Sequence, residues 1–513
     1  KSQRSEIFVN KAAEPRRKRA MPERASRKSG LVRSRKKCDF AFFKLITKNA
    51  VFLARVIILK SRESSTKIDL YIIYPLLNTM KILNTMKNID TKQYFSACVT
   101  SIADMVKFDS AQAPALPGMP FGKGAADCLN AFLQLAQNMG FETHNYDNYV
   151  GEVIFGEGAE EFAVLAHLDV VPAGEGWAHP PFAGEIADGK LYGRGTMDDK
   201  GPAVIALYCM KALKDADFVP SKKIKLIVGC NEENGWACID HYNQVAHMPE
   251  IGFSPDADFP AIYAEKGILQ FRMEFPILNA PITALYGGER PNMVCDFAVC
   301  EGAPYDAARA KQFGIEVEGG KLVARGVAAH ASTPDEGVNA LGKLLGYLAP
   351  YDEELANAYN VFFNDSLGLK KMEDETGRLT MSANVAEFQD KLLRVTVDIR
   401  YPATKKRCDV TDILDTLALP YELLHCQEPL YNDKNGFLIT ALQKVYAEKT
   451  GSRSEAIAIG GGTYARALKN GAGFGPQFPG EPSTIHQKDE YISLENVQKL
   501  LDIYAAAIYE LTK

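Results

Sequence analysis

From about residue 88 the chain alternates between two kinds of apolar spacing. Segment 124–140 (GAADCLNAFLQLAQNMG) places apolar residues three and four apart and closes on Gly140, which predicts a helix with a glycine stop. FAVLAH (162–167) is a short unbroken apolar run of the kind that forms a buried strand. GPAVIALYCMKALKDA (201–216) again predicts a helix and KIKLIVGC (223–230) again a strand. This order predicts an α/β fold with a mixed, mostly parallel sheet flanked by helices. Such sheets gather functional groups at the carboxyl ends of their strands. His167 and the pair Glu232 and Glu233 fall at or just beyond such ends.

The pattern changes between about 267 and 428. LQFRMEFP (269–276), KLVARG (321–326), LTMSANVAEFQ (379–389) and KLLRVTVDIRYP (391–402) read as strands, with a helical segment at 339–351 among them. An inserted α+β domain is expected over 267–428, dividing a first domain into parts 86–266 and 429–513. The second part carries two helical segments, 436–451 and 494–513, around AIAIGGGTYAR (456–466).

Charge and composition alter the picture mainly at the amino end. Residues 1–37 hold 14 of the 59 Lys and Arg but 3 of the 64 Asp and Glu, leaving 45 against 61 in the remainder. Segment 1–85 also lacks sustained periodicity, so a disordered or artefactual extension is expected there, and no nucleic-acid partner. With 46% hydrophobic and 24% charged residues the chain reads as globular and soluble. Its most apolar stretch, 40–59, is broken by Lys44, Lys48 and Arg55, which excludes a spanning helix and hence a membrane role. Ten cysteines without a C-x-x-C pair, and no secretory pattern, lead to the expectation of a reducing cytoplasm.

Several acidic residues and histidines stand where a soluble fold does not need them. His167-x-Asp169 closes a buried strand, and an imidazole used as a ligand needs an orienting carboxylate. Asp198 in YGRGTMDDKGP could cap the following helix, but two adjacent aspartates exceed what a cap requires. Glu232 and Glu233 are costly at a strand end unless a cation offsets them; one could bind it while the other takes a proton from water. With Asp256 in FSPDADFP and His486 in PSTIHQKDEYI, the inventory of His and carboxylate suits Zn²⁺, with Mn²⁺ or Co²⁺ substituting. Five ligands are more than one tetrahedral zinc uses, so two ions sharing a bridging carboxylate are expected. No serine elbow, dinucleotide fingerprint or Walker loop is present to support another chemistry.

AHLDVVPAG, YGRG-x-x-DDKGP, EE-x-GW, FSPDADFP, GGERPNMV, AHAS-x-P and GGGTYAR follow one another in this order. Together they make the chain from about 86 to 513 resemble the dinuclear-zinc metallopeptidases of the aminoacylase and carboxypeptidase G type, and among them the PepV-type bacterial dipeptidases. The resemblance implies that His167 and Asp256 hold one zinc and Glu233 and His486 the other. Asp198 would bridge them, Asp169 would orient His167, and Glu232 would be the general base. It further implies a cis peptide after Asp198 and a lid formed by the insertion. From that lid Asn292, His330 as oxyanion donor and Arg400 as carboxylate fork would reach a small peptide, while glycines 460–462 with Thr463 would offer backbone amides. The expected activity is hydrolysis of dipeptides by a monomer or weak oligomer, with N-acyl amino-acid deacylation or desuccinylation as the alternative. Asn231 and the basic extension depart from the family's pattern.

Overall fold

Strands Lys223–Gly229, Glu161–His167, Ile251–Ser254 and Asn470–Gly473 lie side by side and all run parallel. Apart from their ends they are almost wholly buried, which explains the apolar runs at 162–166 and 226–228 and the small residues of Asn470–Gly473. Antiparallel pairs flank this centre: Val150–Phe155 and Glu142–Tyr146 on one side, Ile262–Glu265 and Leu430–Tyr431 on the other. Ile457–Ile459 joins Ile262–Glu265 in parallel. The sheet is therefore mixed, and its parallel order is confined to the middle. The computed structural model describes residues 89–513. The basic segment 1–37, the apolar stretch 40–59 and the rest of the expected extension lie outside the described residues.

Helices cover this sheet. Lys200–Asp215 buries almost every residue and packs with Leu494–Thr512 and Phe95–Val106, while Lys123–Asn138 lies against the two strands at one edge. Ser493 begins the last helix by accepting a hydrogen bond from the Asn496 amide, a cap that satisfies one of the free N–H groups of the first turn. Among the described residues no helix is long and apolar enough to cross a membrane. All nine cysteines described are free, and seven of them are buried.

The segment between 267 and 427 builds a separate, wholly antiparallel sheet of eight strands. Gly267–Pro276, Leu392–Tyr401 and Thr380–Gln389 form its longest ladder. Helices Ala340–Leu348 and Glu353–Phe362 pack on it around a second apolar core distinct from the first. The helical pattern at 339–351 gives way after Leu348 to a tighter turn, Ala349–Tyr351, because Pro350 cannot donate a helical hydrogen bond. This is the lid of the expected fold.

Candidate metal centre

Three adjacent parallel strands end on the same edge, and this alone assembles half of the site. His167 pairs with Gly229, so the two strand ends are level and Glu232 and Glu233 follow three and four residues beyond. Asp256 comes two residues after the third strand, Ile251–Ser254. Asp198 arrives on the loop before helix Lys200–Asp215, and His486 on a loop near the carboxyl end of the chain.

The contacts converge on Asp198. One of its oxygens, Oδ1, lies 2.9 Å from His167 Nε2, and the other, Oδ2, lies 2.9 Å from His486 Nε2. His486 Nε2 is also 3.0 Å from Glu233 Oε1, and His167 Nε2 is 3.7 Å from Asp256 Oδ2. Ligating atoms of His167, Asp198 and Glu233 lie within 4.8 Å of one another, as do those of His167, Glu232 and Asp256. The Asp198–Asp199 peptide is cis, as the resemblance implies.

The capping role weighed for Asp198 is absent. Asp199 occupies the cap position and caps nothing, since its carboxylate instead accepts the His167 backbone N–H at 3.1 Å. The placing of Asp169 also differs from a simple orienter. His167 Nδ1 is 3.0 Å from the Asp169 backbone carbonyl and 3.5 Å from its carboxylate. A carbonyl only accepts, so Nδ1 carries a proton, and Nε2 faces the cluster. Without a metal ion, burial would draw the imidazole down, but Asp169 and Asp198 outweigh it and raise the ring well above its ordinary value. The Asp169 carboxylate is used elsewhere: its two oxygens accept the backbone N–H groups of Glu232 and Glu233 at 3.0 and 3.1 Å. It therefore fixes the turn that presents both glutamates.

The charge balance calls for a cation. Burial, and then the carboxylates of Asp256, Glu233 and Asp169, push Glu232 well above the usual carboxylate range against the opposing pull of His167. Asp256 is pushed up to about 7, first by burial and then by Asp198. Burial draws His486 down, but Asp198 and Glu233 outweigh it and raise the imidazole to about 11. Burial would raise Asp198, yet the two imidazoles hold it well below its ordinary value. His167 Nε2 and Asp198 Oδ1 face each other in a buried setting at 2.9 Å, too close for a lone pair to meet a carboxylate oxygen directly. That arrangement repels unless a proton or a metal ion lies between them. Imidazole and carboxylate donors of this number and spacing fit a divalent transition metal.

Two buried arginine–carboxylate pairs that sequence reading missed hold the loops in place. Arg194 Nη1 donates to Glu490 Oε2 at 2.6 Å, and Glu490 Oε1 accepts the amides of Gly195, Met197 and Asp198 at 3.1, 2.9 and 3.3 Å. Glu490 thus ties the Asp198 loop to the segment that carries His486. The one sequence hint is that Arg194 and Glu490 each sit four residues from a candidate ligand, Asp198 and His486. The second pair is Arg466 with Glu265, whose carboxylate also accepts the Thr463 amide at 3.0 Å and the Thr463 hydroxyl. The expected offer of a Thr463 amide to a ligand is therefore not met.

The lid residues Asn292, His330 and Arg400 make their contacts within the lid and with the glycine loop. His330 Nδ1 is 2.7 Å from Ser332 Oγ, and the Asn292 carbonyl accepts the Ala331 amide at 2.9 Å. Arg400 is buried, with Nε and Nη2 donating to Asp398 at 2.6 and 3.0 Å and Nη1 to the Gly460 carbonyl at 3.3 Å. Its fork is thus engaged by Asp398, which sequence reading did not single out although it stands two residues away. His330 is drawn below its ordinary value, first by burial and then by the Arg400 charge, which places the two in electrostatic reach. Gly462 lies against Arg466, where a Cβ would come 2.9 Å from the guanidinium carbon. Among the described residues, no hydrogen bond or ion pair joins the side chains of Asn292, His330 or Arg400 to the metal cluster.

Residues 163–510 match the family model described as Peptidase family M20/M25/M40. The chain belongs to this peptidase family. Among curated M20 relatives, the "Putative dipeptidase YtjP" of Bacillus subtilis (strain 168) is 38% identical over 430 residues, covering 77% of this chain and 93% of the relative. The "Beta-Ala-Xaa dipeptidase" of Lactobacillus delbrueckii subsp. lactis is 34% identical over 457 residues, covering 81% and 96%. The fold is shared with human carnosine dipeptidase 1, at a TM-score of 0.52 and 15% identity over 83% of this chain and 98% of that one. It is also shared with the yeast dipeptidase Dug1p, at 0.52 and 13% over 84% and 98%. The M20 chain is a hydrolytic enzyme, and its family implies a divalent metal.

Proposed function

We propose that this M20 enzyme is a dipeptidase that cleaves the peptide bond of dipeptides with a water activated between two zinc ions. The observation that carries the reading is the two-sided placement of Asp198, one oxygen toward His167 and the other toward His486, both at 2.9 Å. His167 and Asp256 would hold one ion, Glu233 and His486 the other, and Asp198 both. Zinc, with manganese or cobalt as substitutes, would polarise the scissile carbonyl and acidify the attacking water. The names of the relatives, two of them dipeptidases of more than 30% identity, favour peptides of two residues.

The chain's own groups then divide the work. Glu232 takes the proton from the water and passes it to the leaving amine. One of its oxygens is held by the Trp236 indole N–H at 3.1 Å, which leaves the other for the proton. Asp169 keeps Glu232 and Glu233 in register through their amides. Arg400 offers the remaining N–H groups of its guanidinium to the substrate carboxylate, with Asp398 fixing the plane of the fork. His330 and Asn292 approach on lid movement, His330 as donor to the developing oxyanion, and Gly462 lines the carboxylate side. The test is hydrolysis, by the metal-reconstituted enzyme, of a panel of α-dipeptides, β-alanyl dipeptides, a tripeptide and N-acyl amino acids. Cleavage confined to dipeptides supports the reading. Cleavage of N-acyl or N-succinyl amino acids in their place selects the deacylase alternative.

A further inference from the structure

The chain passes between its two sheets twice, and at each passage a very short segment separates one sheet from the other. On the way out, only Lys266 lies between strand Ile262–Glu265 of the first sheet and strand Gly267–Pro276 of the second. On the way back, Glu428 and Pro429 lie between Tyr421–Gln427 and Leu430–Tyr431. Any change in the angle between the sheets must turn about these residues.

One guanidinium reaches both. Arg466 Nη2 donates to the Lys266 carbonyl at 3.1 Å, and Nη1 donates to the Glu428 carbonyl at 3.3 Å. The same side chain donates from Nε to Glu265 Oε2 at 2.8 Å and from Nη2 to the Gly461 carbonyl at 3.0 Å. Its side chain is 4% exposed and its carboxylate partner fully buried. These are charge-assisted bonds anchored on a buried carboxylate, and a planar fork with fixed donor directions constrains all of its partners together.

The far side of the same glycine loop is held by the lid. Arg400 Nη1 donates to the Gly460 carbonyl at 3.3 Å, and a Cβ on Gly460 would come 3.1 Å from the Cβ of Ser332, the hydrogen-bond partner of His330. Loop 460–462 is therefore clasped between Arg466 beneath and the Arg400 and Ser332 side chains above. Gly462 has no room for a side chain because the Arg466 guanidinium lies against it, within 2.9 Å of an added Cβ.

We infer that Arg466 is a positioning residue that locks both passages to the glycine loop and thereby sets where Arg400 holds the substrate carboxylate relative to the metal cluster. Arg466 touches no reacting atom; it acts through Lys266, Glu428 and Gly461. The inference rests on the dipeptidase reading for its kinetic consequence but not for its structural one.

The experiment compares the metal-reconstituted full chain with Arg466→Met and Arg466→Lys. Backbone hydrogen exchange is followed by mass spectrometry, and kcat and KM are measured on a dipeptide and on the same dipeptide with an amidated carboxyl end. Loss of the clamp should speed exchange about tenfold or more over 262–268, 426–431 and 459–464, while strand Glu161–His167 stays protected. KM for the free dipeptide should rise about tenfold in the methionine variant, kcat should change less, and the amide should be little affected, so that discrimination between the two collapses. Zinc per chain should be unchanged. Lysine, which keeps the charge but not the fork, should fall between, and it carries the comparison should the methionine variant not fold. Unaltered exchange in the three segments would overturn the inference, as would exchange raised throughout the chain or equal kinetic losses on acid and amide. If the wild-type enzyme cleaves no dipeptide, the functional reading fails, and the exchange measurements alone decide the clamp.

Discussion

Replacing Asp169 with Asn tests which of its two neighbours depends on it. The His167 ring donates to the Asp169 backbone carbonyl, which the substitution leaves in place, whereas the carboxylate accepts the amides of Glu232 and Glu233 at 3.0 and 3.1 Å. An asparagine keeps one acceptor oxygen and turns an NH₂ toward the other amide. One charge-assisted bond is lost and the second is weakened, a cost of about 2–3 kcal/mol in a buried setting. If that cost falls on the productive placing of the two glutamates, kcat/KM drops roughly 30- to 150-fold. The assay is steady-state hydrolysis of a dipeptide with free Zn²⁺ buffered at saturation, so that weaker ligation by Glu233 is separated from misplacement of Glu232. A loss under about threefold at saturating metal would refute the idea that Asp169 acts through the glutamate turn.

Glu232→Gln should leave both metals bound and lower kcat by about 10²–10⁴, as measured by turnover beside metal analysis. Arg400→Ala should raise KM for peptides with a free carboxylate and spare C-terminal amides; an equal effect on both would remove it from substrate binding. Glu490→Gln leaves the buried Arg194 charge without its partner, so stability in urea should fall by about 3–5 kcal/mol and zinc affinity with it. Chelation should abolish activity, with Zn²⁺, Mn²⁺ or Co²⁺ restoring it. In the chelated protein Asp256 and His486 stand at about 7 and 11, both above their unfolded values, so the folded state binds more protons. Their stabilisation is present at low pH and is lost as pH rises through those values, so Tm should fall between pH 5 and 9 and added metal should flatten the curve.

The parts of the site that could be read from sequence are those carried by local pattern. His167, Glu232 and Glu233 close or follow apolar runs of strand length, and parallel strands bring their ends to one edge, whereas Asp256 follows the short strand Ile251–Ser254, in which Gly252 and Ser254 break any such run. The helix at Lys200–Asp215 was equally plain, but the side-chain use at its start was not, because capping and ligation demand the same residue type. Antiparallel strands at the edge such as Glu142–Tyr146 went unread because half-exposed polar sequence lacks a clear period. Arg194 and Glu490 lie 296 residues apart, and no local signal joins them. Asp398, Glu265 and Arg466 were hidden for the same reason: a buried ion pair is a property of two distant segments. The lid contacts of His330 and Asn292 depend on the angle between two sheets, which no one-dimensional pattern encodes.

The two halves that meet at Asp198 are built of different material. His167 is a strand end with no exposure, paired with Gly229 of the next strand, whereas the His486 side chain is 50% exposed on a loop whose backbone takes φ 61°. One wall of the centre is thus set in the core, and the other opens to solvent. If the centre holds the proposed pair of ions, the one beside His167 should be lost to a chelator more slowly than the one beside His486, and turnover should then follow the occupancy of the outer position.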